Sequence, residues 1–126
     1  SALVIFEGVN DLGSINGNSE AMAAKLIEAY QQLAKKARER GYKVYGATIT
    51  PFAGHSYFTF FREAARQAVN EWIRTSGTFD DVIDFDKLMR DSSEPSKLKA
   101  DLQDDWLHPN AAGYKVMGEY AAKIIK

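Results

Sequence analysis

Two short stretches bring together side chains able to do chemistry. Asp105-Trp106-Leu107-His108-Pro109-Asn110 holds one of only two histidines in 126 residues. A carboxylate three residues before an imidazole can curl back and accept from one ring nitrogen. That fixes the tautomer and leaves the other nitrogen free as a base. Pro109 restrains the backbone beyond His108, and Asn110 suits the cap of a following helix. The same spacing also occurs in a solvated loop histidine with an incidental carboxylate. The second stretch, Gly8-Val9-Asn10-Asp11, follows an apolar run. Asn10 there can offer its amide N–H to a developing oxyanion, a donor worth roughly 2.7–4 kcal/mol in a transition state. Gly-x-Asn-Asp is equally ordinary turn chemistry.

Other residues read more plainly. His55 follows Gly54 in a loop and reads as structural or solvated rather than substrate-lining. Trp106 either flanks a sugar ring or simply packs. Tyr57, Phe58, Phe60 and Phe61 form an aromatic cluster whose helical period places most of it in the core, with Tyr57 or Phe58 left to face a cleft. Asp101, Asp104 and Asp105 lack the pattern and glycine of a calcium loop, so no metal site and no cofactor are expected. Arg62 and Arg66, beside Glu63, read as a solvated, salt-bridged helix face.

The elements that must position these residues follow from periodicity. Leu3-Val4-Ile5-Phe6 is a short apolar run that reads as a fully buried parallel strand. After the loop Asn10 to Asn18, a helix is expected from Ser19 to Arg40, with Met22, Leu26, Ile27, Tyr30, Leu33 and Ala37 on one face. Lys43 to Thr50 reads as a second strand. Tyr57 to Arg74 reads as a second helix, with Phe60, Phe61, Ala64, Ala65, Ala68, Trp72 and Ile73 on its period. Val82 to Phe85 reads as a third strand. A long connection to Pro109 carries a short helix near Asp86 to Arg90. A last helix, capped by Asn110, runs to Ile125 with Tyr114, Met117, Tyr120, Ala121 and Ile124 inward. Strands alternating with helices imply an α/β fold with a parallel sheet. Three strands are few, because open doubly wound sheets usually have five or six.

Composition narrows the function classes. Lys and Arg number 16 against 17 Asp and Glu, a net charge of −1, so no basic field draws the chain to nucleic acid or an anionic membrane. There is no cysteine, which removes disulfides, thiolate metal sites and a cysteine nucleophile. No apolar run approaches the roughly 18 residues of a membrane span.

The two motifs together, one after the first strand and one before the last helix, resemble blocks three and five of the SGNH (GDSL-type) hydrolases. These are serine esterases and lipases on a flavodoxin-like, three-layer α/β/α fold. Tyr45 to Phe52, Arg66 to Ile73 and Trp106 to Tyr114 also fit, and look most like the bacterial branch that includes xylan-associated acetylesterases. The resemblance implies that His108 is the general base and Asp105 its orienter. It makes Asn10 an oxyanion-hole donor and Gly8 a point of close backbone approach. It implies ester substrates, either small molecules or acylated carbohydrates, and a secreted or periplasmic enzyme.

The departures are as informative. The family's first block, Gly-Asp-Ser, carries the nucleophile, and no such tripeptide occurs here. Ser14 lies near Asn10 but in a polar loop rather than on a strand-to-helix elbow. In a flavodoxin-like sheet of order 2-1-3-4-5, the three strands would be the third to fifth. Residues 1–126 would then be the C-terminal part of a single domain, without a nucleophile of its own. The first strand would present an apolar edge, to be paired by a missing N-terminal segment of the same enzyme or by a second copy. A different reading is a noncatalytic α/β binding module that keeps the fold. A receiver-type domain would need an acidic cluster or a phosphate-cradling loop, and residues 10–18 offer neither.

Overall fold

The computed structural model describes residues 2–6 and 18–125. Gly8, Asn10, Asp11 and Ser14 therefore lie outside the described residues. The elements in order are β1 (Ala2–Ile5), α1 (Ser19–Glu39), β2 (Lys43–Ala47), α2 (Phe60–Thr75), β3 (Asp81–Ile83), α3 (Phe85–Met89), a 3-10 turn (Ala100–Leu102) and α4 (Ala111–Ile124). The three strands form a parallel sheet in the order β1-β2-β3. Leu3 pairs with Val44, Ile5 with Gly46, and Ala47 with Ile83.

The sheet sorts its side chains by the two-residue period of a strand. Val44 and Ile5 face one layer, where Met22, Leu26, Tyr30 and Ala34 of α1 meet Ala65, Val69 and Ile73 of α2. Tyr45, Ala47 and Ile83 face the other, where Phe85, Met89, Leu98 and Met117 pack. This is the expected three-layer α/β/α arrangement. Each long helix starts on a side-chain cap. Asn18 accepts from Ala21 N at 2.7 Å, Thr59 from Arg62 N at 3.1 Å, and Asn110 from Gly113 N at 2.8 Å.

The structure corrects several expectations. β1 is not fully buried: of Ala2–Ile5, only Ile5 is. Among the described residues β1 pairs on one side only, so Leu3, Val4 and Phe6 are exposed. β2 ends at Ala47 rather than Thr50. Beyond it the Asn70 side chain replaces a strand partner, accepting from Ile49 N at 2.7 Å and donating to Ile49 O at 2.9 Å. β3 stops at Ile83 because Asp84 turns to cap α3, accepting from Lys87 N. α2 begins at Phe60, not Tyr57. Its first turn leaves Phe60 85% and Phe61 64% exposed, whereas Tyr57 and Phe58 pack on the core. Leu33 and Tyr114 are exposed; Ala34 and Gly113 take the buried positions beside them.

The largest correction concerns Arg66, which is fully buried rather than solvated. It donates to Glu63 at 2.7 and 2.8 Å, to Asp86 at 2.7 Å and to Ile49 O at 3.1 Å. Arg74 joins Asp84 and Asp86, and Arg90 joins Asp86. Burial pulls the Arg66 guanidinium down, but the Glu63 hydrogen bond and the Asp86 charge together outweigh it and hold the group above its ordinary range. Among the described residues, no buried side-chain nitrogen or oxygen lacks a partner. This network locks the segment that leaves the carboxyl end of β2, the end where open α/β sheets bind ligands.

Candidate active site

The segment 101–110 is a narrow hairpin held at its base by backbone. Gln103 pairs antiparallel with Pro109. Asp104 N donates to His108 O at 3.1 Å, and Asn110 N to Leu102 O at 3.0 Å. Asn110 also donates from its side chain to Asp101 O at 3.0 Å. One side chain therefore ties the hairpin base and caps α4. Gly113 sits in the first turn of α4, where a Cβ would overlap the Leu102 carbonyl oxygen and stand 2.9 Å from Pro109 Cβ. Only glycine lets the helix approach the hairpin this closely.

At the tip, Asp105 does two jobs. Its Oδ1 accepts from Leu107 N at 3.0 Å and His108 N at 2.8 Å. Its Oδ2 lies 2.9 Å from His108 Nδ1. The hydrogen bond from the His108 side chain, joined by these backbone donors, holds the Asp105 carboxyl well below the usual carboxylate range. An ionised carboxylate only accepts, so Nδ1 carries a proton, and in the neutral form of the ring Nε2 keeps its lone pair. Leu107 points into the core with Phe52 and Ile49, while both Asp105 and His108 are exposed. The buried leucine between them anchors the pair without covering it.

Trp106 at the turn has φ +66°. Its amide donates to Gln103 Oε1 at 2.5 Å. The loop after β2 lies against it, for a Cβ on Gly54 would stand 2.9 Å from Trp106 Cγ. Lys97 Nζ lies 5.3 Å from the centroid of the indole. The same loop is tied to the long connection by Ala53 N donating to Ser96 O at 2.9 Å. His55 serves its own turn, with Nδ1 accepting from Tyr57 N at 3.1 Å.

The structure thus brings His108 and Asp105 together. Asn10 and Gly8, the other two expected site residues, fall outside the described residues. Gly54, Gln103 and Gly113 support the pair and were not singled out for that role from sequence. A glycine in the first turn of a helix was the one visible signal, because glycine is a poor helix former. Among the described residues no group of three or more His, Asp or Glu is arranged to hold a metal, and no helix is long and apolar enough to cross a membrane.

Comparison with known proteins agrees with this architecture. The chain superposes on a GDSL-like lipase from Bacteroides thetaiotaomicron with a TM-score of 0.76 at 19% identity, over 98% of this chain and 60% of that one. It superposes on a putative acylhydrolase from Bacteroides fragilis with a TM-score of 0.71 at 17% identity, over 96% and 59%. At such identities these likenesses speak for the fold. The chain spans about 60% of the length of these relatives. No curated protein matches the sequence significantly. The sequence pattern of the GDSL-like lipase/acylhydrolase family matches residues 1–116, a stretch that contains the β1 strand, the sheet and the Asp105–His108 hairpin, and the chain therefore belongs to that family.

Proposed function

We propose that this chain supplies the general base, its orienter and an oxyanion donor of a serine ester hydrolase, and that the nucleophilic serine comes from an upstream segment of the same polypeptide. The observation that carries the reading is the 2.9 Å pairing of His108 Nδ1 with Asp105 Oδ2 on an exposed hairpin tip. It turns a neutral imidazole so that Nε2 can accept a proton. In the proposed reaction Nε2 takes the proton of the serine hydroxyl as its oxygen attacks the ester carbonyl. The carbonyl π electrons move onto the oxygen, and the Asn10 amide donates to that oxyanion while Gly8 allows close approach. Collapse expels the alcohol, which receives the proton from Nε2. Water then repeats the sequence on the acyl-enzyme, releasing the acid and restoring the serine. The substrates are small acyl esters, acetylated carbohydrates among them. No step calls on a metal or cofactor.

Among the described residues no strand pairs with the outer side of β1, which supports an upstream segment. Leu3 borders an apolar groove of about 460 Å³ with Leu33, Ala37 and Tyr42. On the opposite face Phe6 packs edge-on against Phe85, centroids 5.0 Å apart. A further parallel strand and its helix would cover both, and the relatives have length to spare for them.

The test is p-nitrophenyl acetate hydrolysis by the 126-residue chain and by a longer polypeptide that includes the upstream segment. The expected result is residual turnover in the first and full activity in the second, with His108→Ala lowering the latter's kcat by about a million-fold. Full activity in the short chain that survives His108→Ala would sink the assignment.

A further inference from the structure

Trp106 occupies a backbone conformation that a bulky side chain rarely adopts. Its φ of +66° sits between Asp105 and Leu107, where it decides whether the chain can double back on the Asp105 carboxylate. With the left-handed turn in place, Leu107 N and His108 N both reach Asp105 Oδ1, and the imidazole reaches Oδ2. The indole accounts for the persistence of a turn that the residue alone disfavours. Gly54 approaches so closely that a Cβ would stand 2.9 Å from Cγ and 3.2 Å from both Cβ and Cδ1 of Trp106. Lys97 lies over the ring and is itself steadied by Glu94 at 3.2 Å. Gly54 has φ +98°, so glycine is required there for conformation as well as for space.

We infer that Trp106 is a positioning residue, whose indole, held by Gly54 and Lys97, clamps the left-handed turn that aims His108 at Asp105. This rests on the reading of His108 as the general base, and it extends the machinery to three residues with no part in the chemistry itself. It assigns the loop after β2 a task in the site: it supports the base from behind.

The test reads the imidazole directly and needs no nucleophile. Two-bond proton–nitrogen spectra of the histidine-labelled chain, at a pH where the rings are neutral, report which ring nitrogen carries the proton. His55, whose Nδ1 accepts from Tyr57 N, is an internal reference of the opposite tautomer. Wild-type His108 is expected as the Nδ1–H form. Trp106→Ala loses the clamp and still pays for a left-handed turn, so His108 reverts to the Nε2–H form. Trp106→Gly loses the clamp without that penalty and retains the Nδ1–H form in part. Exchange of the Leu107 and His108 amides is roughly 5- to 30-fold faster in the Ala than in the Gly variant, the spread expected for one left-handed residue. Equal behaviour of the two variants, or a wild-type tautomer in Trp106→Ala, overturns the inference. If Trp106→Ala is too unstable to compare, Gly54→Ala decides: Trp106 is intact there, and a wild-type tautomer refutes the clamp. Ester hydrolysis that ignores His108 would remove the catalytic role and leave this tautomer order untouched, so the two failures are distinguishable.

Discussion

Gly113 and Gly118 lie on the same helix, α4, five residues apart, and the same substitution should move stability in opposite directions. Helix propensity favours alanine over glycine by up to about 1 kcal/mol in each case. At Gly118 an added Cβ meets nothing within 4 Å, so Gly118→Ala should stabilise the chain by about that amount. At Gly113 the Cβ would overlap the Leu102 carbonyl oxygen and crowd Pro109 Cβ at 2.9 Å and Met89 Cε at 3.2 Å. The methionine can swing away, but the carbonyl is backbone and is itself held by Asn110 N at 3.0 Å. Overpacking of this kind costs about 1–3 kcal/mol, and disturbing the Asn110 cap costs about 1 kcal/mol more. Less the propensity gain, Gly113→Ala should destabilise by about 1–3 kcal/mol. Urea unfolding measures both. With a slope of roughly 1–3 kcal/mol per molar, the midpoint should fall by about 1 M for Gly113→Ala and rise by about 0.5 M for Gly118→Ala. A Gly113→Ala midpoint at or above wild type would refute the close helix–hairpin approach, and with it the account of how His108 is held.

Three further outcomes follow from the electrostatics and the sheet. Arg66→Ala takes the cation from Glu63, which keeps Gln67 at 2.9 Å, and from buried Asp86, which keeps Arg74 and Arg90. A loss at the lower end of the roughly 3–5 kcal/mol seen for broken buried pairs is expected, and a loss below about 1 kcal/mol in urea unfolding would show that the network is dispensable. Asp105 is held ionised by His108, so its contribution is present above the ordinary carboxylate range and is lost as pH falls through its lowered folded value. His108→Ala should move the Asp105 carboxyl upward in a carbon-detected NMR titration, and an unchanged midpoint would exclude the ring as the cause. Val4→Lys places a charge on the exposed strand β1 and should reduce concentration-dependent association in sedimentation equilibrium; unchanged association would show that copies do not meet through that edge.

The parts of the site legible in the sequence are those set by near neighbours. Asp105 and His108 stand three residues apart, so one turn suffices to join them. Asn110 caps its helix through its own third residue, and the α1 register is written in its 3.6-residue period. Expectations failed where a distant element decides. Arg66 shares its helix face with core residues, but only the arrival of Asp86 and Ile49 O from other segments shows that its guanidinium has buried partners. Phe60 and Phe61 satisfy an apolar period, yet the helix starts at Phe60 and its first turn leaves both rings exposed. Thr48 to Thr50 look like strand, and the Asn70 side chain takes the place of the missing ladder.

By itself, then, the sequence determined the α/β order, the local hydrogen-bond pairing of His108 and Asp105, and the family motifs that frame them. Tertiary structure alone decided how that pair is held. The left-handed turn at Trp106, the glycines at 54 and 113 that admit a neighbouring loop and a carbonyl, and the buried arginine that holds the segment after β2 all depend on contacts between separate segments. Periodicity and spacing describe what one segment prefers; which backbone atom comes to lie against a given Cβ is settled only when the layers pack.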